Sequence, residues 1–67
     1  MFTVEEIESR IRLAENNGRR YGLLIAEEIA LGKDPTYWSN LADESERLIA
    51  FWKVELSKAQ AWQFATA

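Results

Sequence analysis

Val4, Ile7, Ile11, Ala14, Gly18, Tyr21 and Ile25 follow one another at spacings of 3, 4, 3, 4, 3 and 4 residues, with Ile29 four further on. That rhythm belongs to one helix face meeting a partner helix. It crosses Asn16-Asn17-Gly18, which alone has the composition of a turn. A loop there would divide the chain into three helices, and the phases on its two sides would have no reason to agree. They do agree, so the spacing predicts one continuous helix over about 4–31. Two interior glycines then need a reason, because each costs about 1 kcal/mol relative to alanine. Gly18 and Gly22 fall with Ala14, Ala26 and Ala30 in a small-residue stripe that repeats every four positions. Such a stripe admits close approach by another helix, and Trp38 and Trp52 are the large side chains it would receive. Gly18, Gly22, Trp38 and Trp52 are therefore the expected residues of close helix packing.

The ends of the helices carry their own signals. Thr3 and Glu6 have the capping-box spacing, Phe2 can staple onto Ile7, and Glu5, Glu6 and Glu8 sit where the helix dipole favours them. Gly32 suits the left-handed position that closes a helix, with Lys33 near its negative end. Asp34-Pro35 reads as an N-cap followed by proline at the first helical position. The loop spans about 32–34, and the second helix runs over about 35–63. A later start at Ser39 or Asn40 is the alternative. Trp38, Leu41, Ser45, Leu48 and Trp52 repeat the 3, 4, 3, 4 spacing, Leu56 and Ala59 extend it, and Ala42 and Ile49 widen the face. Two helices of similar length joined by a tight loop must lie antiparallel. The expected fold is all-α, a single αα-hairpin domain over 1–67.

One hairpin needs one apolar stripe per helix, and this chain has more. Leu13, Leu24 and Leu31 lie opposite the first seam, and Phe51, Val54 and Trp62 lie off the second. A helix apolar on several sides is buried on several sides. A chain of 67 residues has little core of its own, and with no cysteine for a disulfide it must find stability elsewhere. Self-association into a helical bundle answers both needs, a dimer being the simplest form. The plain alternative is apolar residues scattered over a monomer surface. Trp62, Tyr37 and Tyr21 are further candidates for anchors in a protein interface.

Chemistry finds little to use. With neither histidine nor cysteine, the commonest base, nucleophile and metal ligands are missing, and no phosphate loop is present. No catalytic, cofactor-binding or metal-ligating residue is expected, and no cofactor. Ser9, Ser39, Ser45 and Ser57 lack any activating neighbourhood. Arg10, Arg12, Arg19 and Arg20 cluster in the first helix, but Glu8 and Glu15 beside them point to intrahelical ion pairs. With a net charge of −3, nucleic acid is an unlikely ligand. The longest apolar run, Tyr21 to Ala26, is far short of the roughly 20 residues a membrane span needs. The acidic start of the chain is unlike a signal peptide, so a cytoplasmic protein is expected. Two functions remain. One is a non-enzymatic interaction module (a small adaptor, assembly factor or regulator) that binds another protein through helical surfaces and self-association. The other is a small acidic inhibitor, of the kind viruses encode, that sets Glu27, Glu28, Asp43, Glu44 and Glu46 against a basic surface of a nucleic-acid-handling enzyme.

Overall fold

A computed structural model gives the fold of residues 2–66, residue 66 by its backbone alone. Thr3 opens the first helix as its spacing to Glu6 requires: the Glu6 backbone N–H donates to the Thr3 hydroxyl at 3.1 Å. Helix α1 then runs unbroken over Val4–Ala30, through Asn17 and Gly18. It ends in a Schellman turn. Gly32 takes a positive φ of 72°, which allows the Lys33 N–H to reach the Glu28 carbonyl at 2.8 Å and the Gly32 N–H to reach Ile29 at 3.0 Å. Helix α2 spans Thr36–Thr66. Its first turn bond runs from the Ser39 N–H to the Pro35 carbonyl at 2.9 Å, one residue later than a cap at Asp34 implies. The Asp34 carboxylate still serves this helix end, accepting from the Thr36 N–H at 3.0 Å and from the Thr36 hydroxyl. Those two bonds, the hydroxyl first, hold the exposed Asp34 carboxyl below its ordinary pKa.

The two helices pack side by side and antiparallel as a rod of 55 × 14 × 13 Å. Small residues face one another at a waist between the helices, where a Cβ on Gly18 would lie 3.9 Å from that of Ser45. Ala14 and Ser45 are buried there. Aromatic clusters flank the waist. Toward the loop, Tyr21 stacks on Trp38 at 6.0 Å between centroids, and Tyr37 meets Trp38 edge-on at 4.8 Å. Toward the termini, Phe2 and Phe51 both meet Trp52 edge-on at 5.0 Å. The Arg10 guanidinium lies over the Trp52 ring, 6.0 Å from its centre.

Three details differ from the spacing argument, each for a geometric reason. In α2 the inward line is Trp38, Ala42, Ser45, Ile49, Trp52, Leu56 and Ala59, while Leu48 is 47% exposed. Leu48 and Ile49 lie on either side of the line through Ser45 and Trp52. Small Ala42, in phase with Ile49, lines the groove on that side together with Gly18. In α1 the next seam position after Ile25 is three residues on, at Glu28, which is half-buried; Ile29 is one residue out of phase and exposed. Gly22 is exposed and a Cβ there would meet nothing within 4 Å, so it takes no part in close packing. A four-residue repeat rotates about 40° per step around a helix of 3.6 residues per turn. The stripe that is buried at Ala14 has left the interface by Gly22, and Ala26 and Ala30 are exposed beyond it.

Candidate interaction surface

Packing two helices buries little of this chain's apolar side-chain surface. Among the described residues the buried apolar ones are Ile7, Ala14 and Ala59, and Ile7 alone is a large side chain fully covered. The apolar surplus is not spread evenly. Two grooves run along the hairpin, one on each side of the seam. One is lined by Arg10, Leu13, Ala14, Asn17, Leu48 and Trp52. The other is lined by Glu15, Gly18, Arg19, Ala42, Ser45, Glu46 and Ile49. The rim of the first carries Leu13 and Leu48 beside Arg10 and Asn17, and the rim of the second carries the charged Glu15, Arg19 and Glu46.

The first side extends along the whole rod. Leu31 follows Leu13 by 18 residues, five full helical turns, and so stands in line with it. Tyr37 precedes Leu48 by about three turns and Phe51 follows it by nearly one. Leu13, Leu31, Tyr37, Leu48 and Phe51 are all between 47% and 67% exposed. Trp62 falls on the same side of α2 at the terminal end and is 58% exposed. Leu24 shares this side but is half-buried, because it sits at the height of the Tyr21–Trp38–Tyr37 cluster. The prediction that the hairpin seam leaves it uncovered is corrected accordingly. Val54, 55% exposed, lies two and a half turns from Ser45 and hence on the back of α2, away from both grooves. Leu23 and Phe64 are also exposed and stand outside the apolar side.

Leu48 is the member of this face that spacing alone assigns to the seam. Ile49, equally apolar and one step round the helix, is the signal that points to the other assignment. Trp38 and Trp52 are half-buried in the two aromatic clusters. Neither sits over a glycine; Gly18 faces Ser45 instead.

The charged residues divide differently from expectation. Arg19 donates to the Asn16 side-chain carbonyl at 3.2 Å rather than pairing with Glu15. Among the described residues the ion pair formed is Lys58 with Glu55 at 3.4 Å. The acidic residues do not converge. Glu27 and Glu28 lie near the loop, Glu46 lies on the charged side at mid-height, Asp43 lies on the back of α2 eleven residues before Val54, and Glu44 lies toward the apolar side. No group of three or more carboxylates among the described residues is placed to hold a metal. No helix among them is long and apolar enough to cross a membrane. Comparison with models of known families, with curated proteins and with solved structures finds no match.

Proposed function

We propose that this chain is a non-enzymatic interaction module, a small adaptor, assembly factor or regulator, whose first partner is a second copy of itself. The observation that carries the reading is the one-sided apolar face of Leu13, Leu31, Tyr37, Leu48 and Phe51. Monomeric proteins rarely leave large apolar patches in water. The rod is 55 Å long and 14 Å broad, so a second copy of the same shape can lie along its full length. Pairing two such faces makes a four-helix bundle with the charged sides outward, and it adds the core that a single hairpin lacks. The remaining charged surface and the loop end are then free to engage other proteins.

Sedimentation equilibrium tests the reading. The expected mass at micromolar concentration is twice the 7.7 kDa of the chain, with a melting temperature that rises with protein concentration. Leu13→Glu places a charge in the face, lowers the mass and lowers the melting temperature. A wild-type protein of 7.7 kDa with a concentration-independent melting temperature would overturn the proposal.

A further inference from the structure

The groove on the charged side of the seam holds a polar group that the fold leaves unused. Ser45 is only 6% exposed and lines this groove beside Gly18. A serine within a helix can turn its hydroxyl back to the carbonyl four residues earlier, as Ser57 does to Lys53 at 3.2 Å. The Ser45 hydroxyl makes no such bond, nor any other among the described residues. No side-chain polar atom among them is sealed from solvent without a partner, so the Ser45 oxygen opens toward the groove. Covering that oxygen would cost free energy unless the covering group hydrogen-bonds to it.

We propose that this groove receives an arginine side chain from a partner protein. Glu15 lies three residues from Gly18 toward the chain termini, and Glu46 lies one residue from Ser45 in the same direction. At 1.5 Å per residue the two stand within about 3 Å of one height, one on each wall. Neither makes an ion pair among the described residues. Arg19 shares the rim, but its guanidinium donates to the Asn16 side-chain carbonyl at 3.2 Å. Asn16 is two residues from Gly18 and so on the far side of α1, which draws the Arg19 charge away from the groove. Two carboxylates on the walls and a hydroxyl at the floor are thus left as acceptors around one position. A guanidinium carries five N–H donors in a planar fork and can serve all three, whereas an ammonium is a compact, strongly hydrated charge with three. Half-buried Ile49 offers apolar surface to the arginine stem, and Gly18 leaves the floor clear of a side chain. The inference goes beyond the self-association proposed above and does not depend on it, because this groove lies across the seam from the apolar face.

Amide NMR of the isotope-labelled protein at low salt, titrated with N-acetyl-arginine amide, tests the proposal. The Gly18 and Ser45 signals should move along saturable curves with a dissociation constant of about 1–10 mM, as expected for one side chain. The uncharged citrulline analogue should leave them in place, and the lysine analogue should bind more weakly. Glu15→Gln and Glu46→Gln should each weaken arginine binding roughly tenfold through loss of a charge-assisted bond. Ser45→Ala should weaken it by about three- to tenfold without lowering the melting temperature. Sedimentation mass should be the same in all three variants, so failure here and failure of self-association read separately. Absence of saturation would overturn the proposal, as would equal binding of the citrulline or lysine analogue, or wild-type affinity in Ser45→Ala. Shifts at Glu27, Glu28 and Asp43 as large as those at Gly18 and Ser45 would show diffuse attraction of a cation to an acidic chain, and would overturn it as well.

Discussion

Gly18 and Gly22 are one helical turn apart, and the structure assigns them opposite responses to the same substitution. Replacing either by leucine removes the intrinsic cost of glycine in a helix, a gain of about 0.7 kcal/mol. At Gly22 nothing lies within 4 Å of an added Cβ, and the residue points to the charged side, away from the proposed dimer face. The full gain is therefore expected, raising the melting temperature by about 3–6 °C in a domain of this size. At Gly18 the Ser45 Cβ is already 3.9 Å from the position of a new Cβ. Alanine fits at that distance, but the remaining atoms of leucine must push the helices apart. Overpacking of that kind costs about 1–3 kcal/mol, which outweighs the propensity gain and leaves Gly18→Leu destabilised. The two variants should differ by roughly 1–3 kcal/mol, with Gly18→Ala neutral or stabilising. Circular dichroism melts at one matched protein concentration read all three. A lower melting temperature for Gly22→Leu would mean that Gly22 is covered in the folded protein, and the outward rotation of the small-residue stripe would be refuted.

Ile7→Ala removes the one large, fully buried side chain among the described residues and should cost about 2–5 kcal/mol, enough to leave much of the protein unfolded in a urea titration. Thr3→Ala deletes the acceptor for the Glu6 N–H and should cost about 0.5–2 kcal/mol, with hydrogen exchange accelerated in the first turn of α1 and unchanged at the loop. Asp34 has a lowered carboxyl pKa because Thr36 donates to it twice. Its contribution to stability is therefore present above the ordinary value of 3.8 and lost as pH falls through the lower folded value. Carboxyl-carbon NMR should show Asp34 titrating below 3.8, and Thr36→Ala should raise that midpoint; an unchanged midpoint would contradict the assigned cause.

Much of the fold was legible because its signals are local and agree with each other. The phase of Val4 to Ile25 across Asn17-Gly18 needs one continuous helix, and Gly32 followed by Asp34-Pro35 needs a tight reversal. What spacing does not contain is the choice between adjacent residues. A 3–4 repeat draws a line along a helix, and both Leu48 and Ile49 lie within reach of it. The outcome depends on the partner's surface, which spacing within one helix does not describe. The same limit explains Glu28 and Ile29, where the greasier residue lost the seam position to the one in phase. It also explains Gly22, whose membership of a four-residue stripe carried no knowledge of where that stripe turns away. The candidate surface was legible in Leu13, Leu31, Phe51 and Trp62, because residues in phase on a helix share a side. That Leu13 and Leu48 line a single groove is a property of the hairpin, visible only once the two helices are placed side by side.

The unbroken course of α1 through Asn17-Gly18 also sets the chemical lifetime of the chain. An Asn-Gly pair ages by attack of the glycine backbone nitrogen on the asparagine side-chain carbonyl, which expels ammonia and passes through a succinimide to aspartate or isoaspartate. In a helix the Gly18 N–H points back along the axis toward the carbonyl of Ala14, and the ring cannot close until the turn opens. Ageing at this site is thus a slow record of local unfolding. Asn17 also lines the apolar groove, so conversion leaves a carboxylate on the face proposed to pair. Damage and assembly would then act on each other: the associated protein shields its own weak bond, whereas a molecule that has aged while alone carries a charge that hinders its return. Peptide mass spectrometry after prolonged incubation should find more conversion at Asn17 in dilute than in concentrated protein.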